Sequence, residues 1–107
     1  MARAKKAKQE ANYKEFKFDG EELQFTGRIY PDKKTETSRC DITPMALTIN
    51  GVITIKGCRL FQSDNNSWIA WPDYKSGDEY KSYIWVEKEY NNEMAKLVEA
   101  IENALAE

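Results

Sequence analysis

Cations and aromatic rings are the side chains of this chain best suited to chemistry; the nucleophile–base pairs of enzymes are missing. There is no histidine, so the usual general base at neutral pH is absent. Ser38, Ser63, Ser67, Ser76 and Ser82 stand neither in a GxSxG elbow nor beside an SxxK lysine. The five glycines are scattered singly and build no phosphate-cradling loop. Cys40 and Cys58 form no CxxC pair, and two thiols without histidine do not close a tetrahedral zinc site. They read as reduced, apolar packing residues, with a disulfide open to them only on neighbouring strands. Asp41, Asp64, Asp73 and Asp78 could serve a metal-dependent hydrolase, but they fall mainly in turns, where aspartate belongs for backbone reasons. No enzyme activity, cofactor or metal is expected.

Cations neutralise phosphates and rings stack on planar ligands, so where the charge sits matters more than its total. The net charge is only -2. Arg3, Lys5, Lys6, Lys8, Lys14 and Lys17 crowd the start of the chain against Glu10 and Glu15, and the last stretch is as strongly acidic. Such fields act locally, within a Debye length of about 8–10 Å. Residues 1–12 read as a flexible basic arm without an apolar stripe to dock it. It is open to two readings, a tail that clamps a phosphate backbone or a solvated, silent one.

These side chains must be positioned by one domain, because 107 residues leave no room for a second core. With 41% hydrophobic and 32% charged residues, residues 13–107 have an ordinary globular balance. No apolar run approaches the roughly 20 residues that cross a bilayer, and the start lacks an apolar signal core. The expectation is a soluble, cytoplasmic protein.

Alternation over Glu22–Tyr30 predicts a strand with Leu23, Phe25 and Ile29 on one face, ended by Pro31. Lys33–Asp41 is a polar connection merging into a strand edge, and Pro44 marks an edge or irregularity. Asn50-Gly51, between Ala46–Ile49 and Val52–Ile55, predicts a two-residue type I′ hairpin. In the strand running on to Gln62, alternation slips at Gly57. Either a bulge there brings Ile53, Ile55, Cys58 and Leu60 to one face, with Thr54, Lys56, Arg59 and Phe61 on the other, or both faces are covered. Ser63–Asn66 is a turn before Trp68–Trp71, Asp73–Glu79 a mobile polar loop, and Tyr80–Val86 a last strand. Met94, Leu97, Val98, Ile101 and Leu105 form one helical stripe, with Asn91 or Asn92 as cap and Glu99, Glu102 and Asn103 toward water.

The predicted fold is α+β: an antiparallel five-stranded β-meander with one C-terminal amphipathic helix on one face. The other face must then meet water, nucleic acid or another subunit. Lys81, Tyr83 and Trp85 on one parity are uncommon as plain solvent contacts.

The run Leu47–Phe61, with its Asn50-Gly51 turn, resembles the central hairpin of the stage V sporulation protein G (septation regulator) family. Asn65–Pro72 is similar to that family's turn, apolar strand and methionine-proline end, and Asp73–Tyr80 to its basic glycine-containing loop; the helix follows in the corresponding place. The likeness covers about Leu23 to Leu105. It implies a non-enzymatic, dimeric bacterial DNA-binding regulator of gene expression, some members also binding RNA. Trp71 stands where the family has methionine, Asp73-Tyr74-Lys75 replaces its serine-lysine-lysine run, and Lys56-Gly57 its histidine-aspartate pair. Tryptophan and tyrosine favour unpaired bases, so these departures fit a divergent phage or mobile-element member that handles single strands.

By this likeness Arg59 and Lys75 match basic positions of the family. Lys56, Lys81 and the arm residues Arg3, Lys5, Lys6 and Lys8 join them on charge alone. Trp71 and Tyr74 are candidate stacking residues, alongside Trp68, Tyr83 and Trp85; for each tryptophan the competing reading is core or dimer-interface packing. Trp68 and Trp71 have opposite parity, so at most one can be a surface platform. The competing class is a protein-interaction module using the open face or an edge strand.

Overall fold

The described residues open on a hairpin, β1 (Lys14–Asp19) against β2 (Gln24–Ile29). The computed structural model describes residues 12–107; the arm residues Arg3, Lys5, Lys6 and Lys8 lie outside them. Phe16, Phe25 and Ile29 are buried on one face of this hairpin. Gly27 stands opposite Phe16, and a Cβ there would come within 2.7 Å of the Phe16 ring. A glycine is therefore required so that the ring can lie over the strand.

A 3-10 turn (Pro31–Lys33) and a two-residue strand β3 (Thr35–Glu36) lead to β4 (Cys40–Ile49). β4 pairs with β2 from Met45 to Ile49 and with β3 at Asp41 and Ile42. Pro44 falls in the gap between these two partners, so its missing N–H costs no ladder bond, while its carbonyl accepts from Tyr30 N–H at 3.0 Å.

β5 (Ile53–Ser63) returns along β4 through the Asn50-Gly51 turn, where φ is +53° and +69°. Positive φ is as expected, but the register closes on Ile49–Ile53 rather than Ile49–Val52, so the loop has three residues and Val52 is left 79% exposed. Asn50 explains the difference: its N–H donates to the Gln24 carbonyl at 2.7 Å and its Oδ1 accepts from Gln24 N–H at 2.9 Å. The turn is thus sewn to β2 as well as to its own strands.

The slip in β5 is a bulge. Met45 pairs with Cys58 and Leu47 with Ile55, which leaves one extra residue on β5 beside Gly57 at φ +85°. The bulge puts Cys58 and Leu60 in the core and Ile55 at its margin; Ile53, beyond its reach near the turn, is 58% exposed. β6 (Ser67–Ala70) completes the main path, in the order β1-β2-β4-β5-β6.

The expected loop Asp73–Glu79 is instead half of a separate hairpin, β7 (Asp73–Ser76) with β8 (Glu79–Ser82), closed by Gly77 at φ +65°. The expected last strand Tyr80–Val86 stops at Ser82. Tyr83 N–H donates to the Pro72 carbonyl, and the following residues have no strand partner among those described. A 3-10 turn (Lys88–Tyr90) then leads into α1 (Asn91–Ala106), whose N-cap is Tyr90, not Asn91 or Asn92.

The fold is α+β, an antiparallel sheet with one C-terminal helix. Leu97 and Ile101 pack onto Phe16, Phe25, Ile29, Met45, Leu47, Cys58 and Leu60, with Met94, Val98 and Leu105 beside them. Both ends of α1 are tied to the sheet. Glu93 accepts the N–H groups of Glu22 (3.2 Å) and Leu23 (2.7 Å) in the β1–β2 turn. Lys14 Nζ donates to the Leu105 carbonyl at 2.9 Å and to the Glu107 carbonyl. Glu102, expected in water, accepts from Gln62 Nε2 (3.1 Å) and Ser67 Oγ (2.6 Å), holding β5 and β6 against the helix. No described helix is long and apolar enough to cross a membrane.

Candidate functional site

Strand alternation sends to the face opposite α1 the side chains between the core residues: Glu15 and Lys17 on β1, Thr26 and Arg28 on β2, Ile42, Pro44, Ala46 and Thr48 on β4. From β5 come Thr54, Lys56, Arg59 and Phe61, as the bulge requires, and from β6 Trp68 and Ala70. Glu15, Lys17, Thr26, Arg28, Thr54, Lys56 and Trp68 on this face are exposed.

At the β5–β6 side, Phe61 and Trp68 are register partners and their rings stack, 5.3 Å between centroids and 15° from parallel. Trp68 keeps 42% of its surface exposed while Phe61 is half-buried, so the free ring surface of the pair is the tryptophan's. The Arg59 guanidinium lies 5.7 Å from the Phe61 centroid and reaches Asp73 Oδ2 at 3.3 Å. It also donates to the Trp71 carbonyl at 3.5 Å. Arg59 thereby links the sheet to the base of the β7–β8 hairpin.

A shallow groove of about 760 Å³ occupies the rest of the face, lined by Glu15, Lys17, Arg28 and Lys56 with Thr26, Thr48 and Thr54 among others. Three cations against one carboxylate make it locally positive. Lys56 and Arg28 have no carboxylate within ion-pair distance among the described residues, whereas Lys17 is 3.9 Å from Asp19.

The residues singled out from sequence are thus divided among three places. Lys56 and Arg59 sit on the open face. Tyr74, Lys75 and Lys81 are exposed on the β7–β8 hairpin, where Tyr74 pairs with Lys81 and its ring lies 4.8 Å from that of Tyr83. Trp71 is half-buried: it packs against the core cluster and, together with Trp68, lines an apolar recess with Ile69, Val86, Met94 and Val98. Of the two tryptophans, Trp68 is the more exposed. Asp41 pairs with Lys34 (3.6 Å) and Asp73 with Arg59, so these carboxylates are dispersed. Cys40 and Cys58 are free thiols, and burial pushes Cys58 up to about 11.

No family model, curated protein or solved structure matches this chain.

Arg28, Tyr13 and Tyr30 are the residues that sequence reasoning passed over. The parity opposite to Phe25 and Ile29 was the available signal for Arg28 and Tyr30; Tyr13 had none, because β1 itself went unrecognised.

Proposed function

We propose that this protein is a non-enzymatic nucleic-acid-binding module that takes single strands on the open face of its sheet. The observation that carries this reading is the Phe61–Trp68 stack, with Trp68 exposed, beside Arg59 and Lys56, the latter without an ion-pair partner among the described residues. Stacking contributes roughly 1–3 kcal/mol per base, is tolerant of sequence, and combines with phosphate contacts that weaken with salt. The β7–β8 hairpin, joined to the sheet through Arg59 and Asp73, adds Tyr74 and Lys81 on one of its faces and Lys75 on the other. The resemblance of Leu47–Phe61 and Asn65–Tyr80 to the stage V sporulation protein G family supports the same class, and with it a dimeric, cytoplasmic DNA- or RNA-binding accessory factor. Binding is tested by retention of labelled single-stranded DNA, RNA and duplex DNA at two salt concentrations. Preference for single strands and steep loss with salt are expected; failure to retain any of them at low ionic strength sinks the reading.

A second reading is favoured by Tyr83 and Trp85, which are 69% and 79% exposed on a segment without a strand partner among the described residues. Rings this bare suit a protein partner or a second copy. Under that reading Trp85→Ala disrupts self-association or partner binding, while Trp68→Ala does not. Solution mass of the intact chain and of Trp85→Ala separates the two.

A further inference from the structure

We propose that the bound strand crosses the whole open face, from Trp68 on β6 to an arginine–tyrosine clamp formed by Arg28 and Tyr13 on the β1–β2 side; this rests on the reading of that face as a single-strand site. The clamp is already assembled. The Arg28 guanidinium lies 4.8 Å from the Tyr13 centroid, the Tyr13 and Tyr30 rings meet edge-on at 6.0 Å and 64°, and Lys33 Nζ stands 5.7 Å from the Tyr30 ring. A guanidinium seated over a ring by its carbon still has N–H donors to offer a phosphate. Glu15 is the register partner of Arg28, yet no ion pair joins them, and no other described carboxylate neutralises Arg28.

Register links the clamp to the tryptophan. Tyr13 and Tyr30 fall one step beyond the Lys14–Ile29 pair, Tyr30 bonds to Pro44, Pro44 pairs with Arg59, and Arg59 with Ala70. One row of open-face residues therefore runs across β1, β2, β4, β5 and β6. Ile42, Phe61 and Trp68 flank it on one side, and Arg28, Ala46 and Lys56 on the other. Its floor at Pro44 and Ala46 is low, which leaves room for a backbone between the rings. Four inter-strand steps span about 19 Å, enough for a site at the short end of the roughly 4–16 nucleotides bound by comparable sheet surfaces. The positive groove is the complement of a phosphate chain, which decides for a nucleic acid over an apolar or basic peptide.

The test is a tryptophan-fluorescence titration of the full chain with oligothymidylates and oligouridylates of two and eight nucleotides. Wild type is compared with Arg28→Ala, Arg28→Lys and Tyr13→Ala, with circular dichroism confirming that each is folded. Arg28→Ala and Tyr13→Ala are expected to weaken octamer binding about fivefold to tenfold and to leave dimer binding unchanged; Arg28→Lys recovers part of the loss, keeping charge without the planar stack. Octamer affinity unchanged in Arg28→Ala overturns the path while leaving the binding site at Trp68 standing. Absence of binding to any oligonucleotide by wild type overturns the underlying reading instead. Self-association lost in Arg28→Ala, without oligonucleotide binding, assigns the face to a protein contact and overturns both.

Discussion

Phe61 and Trp68 stack across the β5–β6 pair with centroids 5.3 Å apart, and Trp68 is the tryptophan with an exposed ring on the open face. Placing an aromatic pair at an edge strand, on the side away from the helix, gives the sheet a platform its core does not use. Trp68→Ala is expected to weaken single-strand binding by about 1–3 kcal/mol and to remove most of the fluorescence response. Trp71→Phe, under the helix, leaves affinity unchanged. Affinities measured for both variants check this.

Arg59 is shared between Asp73 and the Phe61 ring. Releasing it with Asp73→Asn changes stability by no more than about 1 kcal/mol, since the pair is partly exposed, but strengthens oligonucleotide binding. Arg59→Ala does the reverse and lowers the salt dependence by about one phosphate contact. Salt-dependent titrations of both variants read the two effects.

Thr43 is 1% exposed on the core face of β4, and its Oγ1 has no hydrogen-bond partner among the described residues. An unmet buried hydroxyl costs about 1–3 kcal/mol, and an apolar isostere avoids that cost. Thr43→Val is expected to stabilise the fold by about 1 kcal/mol, seen as a rise in Tm.

Cys58 is held protonated by burial, from 9.0 to about 11. A folded value above the unfolded one means the native state binds the proton more tightly. The associated stability is complete below pH 9 and is lost as pH rises toward 11, by roughly 2–3 kcal/mol. Denaturant melts at pH 8, 9, 10 and 11 should show this decline, reduced in Cys58→Ala relative to its own value at pH 8. At pH 8 the disulfide reagent DTNB should modify Cys40 faster than Cys58, with both reacting once unfolded.

Glu93 receives two backbone N–H groups of the β1–β2 turn, and a Cβ on Gly20 would sit 2.1 Å from its carboxylate. Charge-assisted bonds of this kind contribute about 1.5–3 kcal/mol when made. Glu93→Ala should cost an amount of that order in thermal unfolding, and Gly20→Ala should also destabilise.

That tie between helix and turn also shows where sequence patterns stopped being informative. The stripe from Met94 to Leu105, the positive φ at Asn50 and Gly51, and the bulge at Gly57 are local consequences of periodicity and backbone sterics, and all three were readable. β1 was not, because Lys14–Asp19 carries four charged residues around two phenylalanines. It holds its place through Lys14 and Glu93, contacts separated by most of the chain. Tyr83–Val86 misled in the opposite sense: its alternation is that of a strand, but no described neighbour supplies a ladder. At the site, Lys56 and Arg59 could be placed on the open face from parity. The choice between Trp68 and Trp71 could not be made, since the ring suits a core and a surface alike. Arg28 depended on Tyr13, and so on a strand that local pattern does not announce.

The most direct measurement is the affinity of the intact chain for an eight-nucleotide single strand as a function of salt, followed by tryptophan fluorescence. For a strand lying on Arg28, Lys56 and neighbouring cations, the logarithm of affinity should fall linearly with the logarithm of salt concentration. Each phosphate contact contributes a slope of about −0.7, so the total is expected at about −2 or steeper, with duplex DNA weaker throughout. A flat salt dependence, or no fluorescence change at low ionic strength, would contradict binding on the open face.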